Sequence, residues 1–243
     1  MMYMTKSKHE REIPGAKDME IIHVSISFPV KAKIAEDDAT PLLYLKERRI
    51  TQIAYVRDLK PDELAKIMIF VKQVEGKFST KKELFEKYLE PQFKEITGRS
   101  PSPRTLFKYV RNFQITINAL GLWDEKGMLT IEGEKLARFY SKDKEKYKDY
   151  LGWLVLSRGG WSRIVSELDN IYKGGQKIKS NQHLCSILSK KLRKEGYIKG
   201  IWNFYDNIKW LIYLGILGKW DKKTKKYPIY WERIRFLLRY QGI

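Results

Sequence analysis

The sequence has very little cysteine or histidine, and this scarcity excludes several kinds of site. Cys185 is the single cysteine among 243 residues, so an intrachain disulfide and a metal cage of several cysteines are excluded. The three histidines, His9, His23 and His183, have no metal-ligand spacing among themselves. We therefore expect no metal site and no cofactor, and we expect His183 and Cys185 to serve packing.

Long apolar runs are also missing. Apolar runs such as Trp153–Leu156 and Trp210–Leu217 fall far short of the roughly 20 apolar residues that a membrane-spanning helix needs. Residues 1–15 are polar and charged and contain no apolar segment typical of a signal peptide. We therefore expect a cytoplasmic, nucleoid-associated protein with no membrane contact. The abundance of Lys, Glu, Ile and Tyr is thermophile-like.

Acidic residues are too few to balance the basic ones. The chain has 48 Lys and Arg against 29 Asp and Glu, a net charge of +19, and its isoelectric point is near 9.7. Most of the excess lies in residues 141–243, which contain 23 basic and 9 acidic residues. An excess of this size favours a polyanionic partner, and nucleic acid is the first candidate.

Residues 1–60 predict an N-terminal arm and short strands. Apolar and polar residues alternate from Ile22 to Val30 with the period of two that is typical of a strand, and Pro29 favours a strand edge or end. A second short strand is predicted from Ile50 to Val56. We expect this part to extend the next unit or to mediate dimerisation.

Residues 61–141 predict a helical unit. One helix begins at Pro61, a second runs from a capping box at Thr80 to Gly98 with a bend at Pro91, and a third begins at Pro103 after a Ser102 cap. Apolar residues spaced by three and four form the buried stripe of the third helix: Leu106, Val110, Phe113, Ile117 and Leu120. The third helix stops at a glycine, and two short strands and a fourth helix follow.

This order carries a family resemblance. The third helix ends in Leu120-Gly-Leu122, and the second strand leads through Leu129-Thr-Ile-Glu-Gly133 into the helix over 132–140. Three helices followed by a β-hairpin and these two motifs resemble the winged helix-turn-helix superfamily of DNA-binding proteins. The resemblance covers residues 61–141, and it implies that the third helix is a recognition helix and the hairpin a wing.

Residues 142–243 repeat this pattern as a second, strongly basic unit. A shift of 94 places Val110, Ile117, Leu120 and Gly121 on Phe204, Leu211, Leu214 and Gly215, and a Trp-Asp pair follows in each half, Trp123-Asp124 and Trp220-Asp221. We therefore predict a mainly α (α+β) fold with small β-hairpins, made of tandem winged-helix units with an N-terminal β-containing extension. In the second unit, residues 181–195 or 201–214 would form the helix that enters the groove.

The candidate DNA contacts lie on the predicted recognition helices and wings. Arginine can bind guanine through two hydrogen bonds, whereas lysines and hydroxyl groups suit phosphates. Arg104, Lys108 and Arg111 share one face of the third helix, away from its buried stripe. The full set is Arg99, Ser100, Ser102, Arg104, Thr105, Lys108, Arg111, Lys190, Lys191, Arg193, Lys194, Asn203, Lys219, Lys222, Lys223, Lys225, Lys226 and Arg233.

We predict no catalytic residues and no enzymatic activity. The carboxylates Glu36, Asp37 and Asp38 cluster in a predicted loop, whereas a metal-dependent nuclease would favour carboxylates and a lysine on a strand. The glycine pairs Gly159-Gly160 and Gly174-Gly175 precede no Lys-Ser or Lys-Thr of a phosphate-binding loop.

We expect a sequence-preferring protein that binds double-stranded DNA in transcription control, replication initiation or partition. Tandem winged-helix plasmid initiators are similar in size and layout, and a homodimer or a replication partner fits this function. Two alternatives remain open. The chain could be the target-recognition subunit of a restriction or defence nuclease complex, since some restriction enzymes use winged-helix units. It could also be a protein-interaction module, because winged helices also bind proteins.

Overall fold

The described chain is mainly helical. The computed structural model describes residues 53–240, in which helices are joined by turns and irregular segments. The helices are α1 (Pro61–Gln73), α2 (Lys81–Glu83), α3 (Phe93–Thr97), α4 (Pro103–Ala119), α5 (Ile131–Lys142), α6 (Lys144–Ser157), α7 (Trp161–Lys173), α8 (Asn181–Lys194), α9 (Tyr205–Tyr213) and α10 (Trp231–Arg239), with a π-helical segment, Leu84–Leu89, after α2. The expected mainly α fold is confirmed.

Most of the predicted N-terminal elements lie outside the described residues. These include the strand predicted from Ile22 to Val30, the carboxylates Glu36, Asp37 and Asp38, and residues 50–52 of the second predicted strand. Residues 53–56 of that second strand take no regular secondary structure, and Ile53, Ala54 and Val56 are buried instead.

Local sequence signals explain where the first helices begin. Pro61 occupies the first position of α1, and the Glu63 carboxylate accepts a hydrogen bond from Lys60 N at 2.8 Å. Thr80 Oγ1 accepts from Glu83 N at 3.2 Å, and the Glu83 carboxylate accepts from Ser79 N at 2.9 Å. Thr80 therefore caps α2 as the sequence predicts.

The second predicted helix is interrupted rather than bent. After α2, the chain widens into the π-helical segment, in which Glu90 N donates to Phe85 O at 2.9 Å. Pro91 has no N–H to donate to the helical ladder, and α3 begins only at Phe93. Gly98, with a φ of +70°, ends α3.

A glycine turn and a loop closed by one antiparallel bridge join α4 to α5. Gly121 adopts a φ of +66°, which favours glycine, and Trp123 then pairs with Leu129. This bridge lies where the sequence predicts two short strands. Thr130 Oγ1 accepts from Gly133 N at 3.3 Å and so caps α5.

The backbone hydrogen bonds around this turn recur in the second half of the chain. Gly215 has a φ of +69°, and a bond before the second loop matches one before the first at a shift of 94: Leu122 N to Ile117 O (3.1 Å) and Ile216 N to Leu211 O (2.9 Å). A second pair of bonds spans the loops, Thr130 N to Leu122 O (3.1 Å) and Tyr230 N to Ile216 O (3.0 Å); its acceptors also match at a shift of 94, whereas its donors lie after loops of different length. The common register supports the internal repeat that the sequence predicts.

The two loops differ in length, and this corrects one part of the predicted repeat. The Leu217–Ile229 bridge encloses a loop six residues longer than the loop of the Trp123–Leu129 bridge. Trp123 therefore corresponds to Leu217 rather than to Trp220, which lies in the longer loop. The two Trp-Asp pairs are not equivalent positions of the repeat.

The helix before the second loop is shorter than the sequence predicts. A helix was expected from about Ile201, but α9 begins at Tyr205. Two side chains hold the preceding residues in another conformation, since Trp202 N donates to Ser189 Oγ at 2.9 Å and Asn203 Oδ1 accepts from Tyr205 N at 3.1 Å. These bonds fix the chain against α8 and start α9 one turn later.

The segment 53–60, in which Ile53, Ala54, Val56 and Leu59 are buried, joins the two repeats. The Ala54 carbonyl accepts from Trp161 Nε1 at 2.8 Å and from Asn207 Nδ2 at 3.1 Å, both in the second repeat. Thr116 of α4 donates to the Tyr55 carbonyl at 3.2 Å. The segment therefore replaces water as the hydrogen-bond partner of both halves, and it belongs to the core rather than to an arm.

All described residues belong to one compact unit. The predicted boundary between residues 141 and 142 falls within this unit, where α5 is followed by α6 after a single residue, Asp143. Helix α6 contacts α5, α7 and α10, and its buried side chains include Tyr147 and Leu151. No helix within residues 53–240 is long and apolar enough to cross a membrane.

Candidate nucleic-acid interface

The outer face of α4 is basic and free of carboxylates. Arg104, Lys108 and Arg111 are exposed, lie at helical spacings of four and three, and have no carboxylate partner among the described residues. The opposite face holds Val110 and Ile117 in the core. We call the exposed side chains Arg104, Phe107, Lys108, Arg111 and Ile115 the α4 face.

Two members of the α4 face are apolar, and the sequence analysis did not select them. Phe107 is 67% exposed and Ile115 is 44% exposed. Both lie outside the buried stripe of α4, at positions where a helix that only packed on a core would carry polar residues. In the sequence, Phe107 lies beside the apolar stripe rather than within it, and this position could have predicted that its side chain is exposed.

Arg99 lies near the start of α4 but is engaged inside the fold. Its Nε donates to Glu63 Oε1 at 3.0 Å, and one terminal nitrogen donates to the Asp58 carbonyl at 2.7 Å. The guanidinium also lies 4.9 Å from the ring centre of Tyr109. Because its donors are used by the protein, we do not carry Arg99 into the proposed interface.

The hydroxyl groups before α4 are partly occupied. Ser100 and Ser102 are exposed and Thr105 is half-buried. Ser102 is the cap residue of α4, but its side chain makes no capping bond, and its Oγ lies 3.0 Å from Thr105 Oγ1 instead. Backbone N–H groups of the first turn of α4 are therefore available beside these hydroxyls, as phosphate binding at a helix start requires.

The second basic region is a well-formed turn over residues 219–226, which we call the lysine loop. Its five lysines are all exposed: Lys219, Lys222, Lys223, Lys225 and Lys226. Asp221, the one carboxylate of the loop, accepts from Lys223 N at 2.7 Å and from Thr224 Oγ1 at 2.9 Å. These bonds, led by that of Lys223 N, lower the pKa of Asp221. The carboxylate therefore braces the turn and pairs with none of the lysines.

The lysine loop is anchored to the body of the protein. Asp221 and Lys226 form an antiparallel bridge with an N-to-O distance of 2.9 Å. Tyr227 is buried after the bridge, and its N donates to the Tyr172 hydroxyl of α7 at 3.0 Å. The Lys226 ammonium lies 5.3 Å from the ring centre of Tyr172. The lysines thus project from a turn of fixed conformation.

The basic cluster at the end of α8 divides into paired and unpaired residues. Lys191 pairs with the buried Glu167 at 2.7 Å, which ties α8 to α7. Lys190, Arg193 and Lys194 are exposed and have no carboxylate partner among the described residues. Cations in the last turn of a helix also stabilise the helix dipole, so these three have a structural reason to be there without DNA.

Two further predicted contacts have structural partners. Arg233 pairs with Asp149 at 2.7 Å and donates to the Leu214 carbonyl at 3.1 Å, which fixes α10 to α6 and to the end of α9. Asn203 is exposed, and its side chain caps Tyr205 N. On α9 itself, Lys209 is exposed and lies 4.1 Å from the ring centre of Tyr205, a pair that the sequence analysis did not select.

The chemistry available elsewhere in the described residues is limited. No group of three or more His, Cys, Asp or Glu side chains between residues 53 and 240 is placed to hold a metal ion. Cys185 is buried, and burial raises the pKa of its thiol to about 11, which keeps the thiol protonated at neutral pH. The buried Asn207 has a side-chain oxygen without a partner, but its amide nitrogen is bound to Ala54.

Within residues 53–240, exposed cations without a carboxylate ion-pair partner collect on the α4 face, in the lysine loop and at the end of α8, where they also stabilise the helix dipole. Comparison with known proteins adds no relative: no family model matches the chain, and no curated protein matches it significantly.

Proposed function

We propose that this protein binds double-stranded DNA through the α4 face and the lysine loop. The observation that carries the proposal is the set of cations on α4 that pair with no carboxylate in the described part of the chain. Arg104, Lys108 and Arg111 are held on a 17-residue helix that contains no carboxylate. A helix of this kind fits the major groove, where arginine can bind guanine and lysine can bind phosphate.

The order of elements supports a winged-helix arrangement for each repeat. In the first repeat, α1, the interrupted α2–α3 region, α4, the bridged loop and α5 follow in the order of a helix-turn-helix with a wing. In the second repeat, α7, α8, α9, the longer bridged loop and α10 follow in the same order. On this arrangement α4 and α9 are the recognition helices, and the lysine loop is a wing.

The two repeats are not chemically equivalent, and this suggests a division of roles. The face of α4 presents two arginines, whereas the exposed side chains of α9 are Tyr205 and Lys209. The lysines of the second loop suit phosphates, because an ammonium group is a flexible point charge with little base selectivity. We assign sequence preference mainly to α4 and non-specific affinity mainly to the lysine loop.

Selection from a random duplex library tests the proposal. We expect one sequence motif to be enriched, and we expect the triple variant R104Q/K108Q/R111Q to lose the enrichment. The matched control is K66Q/K142Q/K146Q, which removes three exposed lysines of α1, α5 and α6 that pair with no carboxylate within residues 53–240. A triple α4 variant that enriches the same motif as the wild type would contradict the proposal.

A further inference from the structure

The exposed Phe107 ring lies among the cations of the α4 face. It is three residues after Arg104 and four before Arg111, and both neighbours lie on the same side of the helix. Its side chain is 67% exposed, although Val110 and Phe113 on the same helix are buried. Together with the exposed Ile115, the Phe107 ring gives the α4 face apolar surface bordered by cations, and this combination points to a ligand.

The surroundings of Phe107 restrict the chemistry of that ligand. A fitting ligand has an apolar group where it contacts the ring and anionic or hydrogen-bond-accepting groups where it contacts Arg104, Lys108 and Arg111. Seven residues of helix separate the two arginines, which is about 10 Å along the axis. The major groove of DNA is about 12 Å wide and is flanked by phosphates, and the 5-methyl group of thymine is the apolar group on its floor.

The second repeat also has an exposed apolar side chain near its predicted recognition helix. The shift of 94 that relates the two turns places Ile201 at the position of Phe107, and Ile201 is 72% exposed. It precedes α9, in the segment that the bond from Trp202 N to Ser189 Oγ holds against α8. An exposed apolar residue close to the last helix before the bridged loop is therefore common to both repeats.

We propose that Phe107 contacts thymine methyl groups in the major groove and so makes the protein prefer thymine at those positions. This inference rests on the proposed function, and it adds a specificity residue that carries no charge. Arg104 and Arg111 would bind on either side of the methyl group, to guanine edges or to phosphates.

Replacing thymine with deoxyuridine tests the contact, because it removes only the methyl group. The probe is the duplex enriched from the random library, synthesised once with thymine and once with deoxyuridine. We expect the wild type to bind the deoxyuridine duplex about fourfold more weakly for each contacted methyl group. Phe107→Ala should bind the thymine duplex more weakly by a similar factor and should bind both duplexes equally.

Ile131→Ala is the matched control for loss of an exposed apolar side chain. Ile131 is 70% exposed at the start of α5, outside the α4 face, and its variant should keep the full preference for thymine. Thermal unfolding of each variant should match the wild type, since neither side chain is in the core.

Three results would overturn the inference while leaving DNA binding intact. The wild type could bind both duplexes equally, or Phe107→Ala could keep the preference for thymine. Tighter binding to the single strand than to the duplex, lost in Phe107→Ala, would instead show stacking on base faces. Failure of the wild type to bind any duplex would overturn the proposed function itself and the inference with it.

Discussion

Arg99 and Glu63 form an ion pair that fixes the chain before α4 to the start of α1. The Glu63 side chain is only 5% exposed, and Arg99 is 23% exposed. Arg99→Ala would remove the guanidinium from the buried Glu63 carboxylate, which would keep only Lys60 N at 2.8 Å and the exposed Lys60 ammonium at 3.8 Å. We expect the free energy of unfolding to fall by about 3 kcal/mol, measured by urea denaturation.

Arg104→Ala provides the contrast within the same region. Arg104 is exposed and forms no ion pair with the residues that the structure describes, so its loss should change the free energy of unfolding by less than about 0.5 kcal/mol. Its loss should reduce affinity for the selected duplex by about 1–3 kcal/mol. An Arg99→Ala variant that kept full stability and lost only DNA affinity would show that Arg99 is a DNA contact after all.

The segment 53–60 should contribute measurably to stability through its hydrogen bonds. Trp210 Nε1 donates to the Leu59 carbonyl at 2.8 Å in a buried setting. Trp210→Phe removes this donor and part of the ring, so we expect a loss of about 1–3 kcal/mol in urea denaturation. Tyr205→Phe, which removes a hydroxyl from a partly exposed ring, is the control and should be nearly neutral. Equal stabilities of the two variants would contradict this role of the segment.

The lysine loop should determine the salt dependence of binding. In K222Q/K223Q/K225Q, the slope of log affinity against log salt should become shallower by about 0.9 for each lysine that contacts a phosphate. The preferred sequence should not change, because these lysines are assigned to the backbone. Fluorescence anisotropy titrations at several salt concentrations give the slope, and Lys66→Gln on α1 is the control. An unchanged slope would show that the lysine loop does not contact the DNA phosphates.

Gly133 should not accept a side chain. A Cβ atom at this position would overlap the carbonyl oxygen of Leu122, because α5 passes directly over the start of the bridged loop. We expect Gly133→Ala to cost about 1–3 kcal/mol of stability. Gly200→Ala is the control, since its Cβ would meet only Trp202, at 3.7 Å. A neutral Gly133→Ala would mean that α5 and the loop are further apart than described.

The buried Cys185 thiol should make stability depend on alkaline pH. Burial raises its pKa from 9.0 to about 11, so the unfolded chain loses this proton first as the pH rises. The stabilising contribution is complete below pH 9 and is lost as the pH approaches 11. Between pH 7.5 and 10.5, the wild type should lose about 2 kcal/mol more than Cys185→Ala. If the free energy of unfolding fell equally with pH in the two proteins, the Cys185 thiol would be accessible to water in the folded protein.

Helix signals in the sequence predicted much of the fold. Pro61, Thr80, Pro103 and Gly121 lie where the sequence places helix starts and stops, because each acts through its own backbone or a neighbouring N–H. The predicted start of α9, at about Ile201, was wrong, because the helix begins at Tyr205. Its position depends on a hydrogen bond from Trp202 N to Ser189, and such a long-range contact has no local signal.

The candidate site was less predictable than the fold. Charge and helical spacing identified Arg104, Lys108 and Arg111 as an exposed set, and the structure places them on one open face. The same reasoning could not separate them from Arg99 and Arg233, whose carboxylate partners, Glu63 and Asp149, lie far away in the sequence. Partners of this kind become visible only when the helices are packed.

The most direct test of DNA recognition is the affinity of the wild type for the selected duplex and for a scrambled duplex across a range of salt. We predict that the selected duplex binds about 10³-fold or more tightly than the scrambled one at physiological salt. We also predict that both affinities fall linearly on a log–log plot as salt increases. Equal affinity for the two duplexes would contradict sequence recognition by α4, and no binding to either would contradict the DNA-binding function.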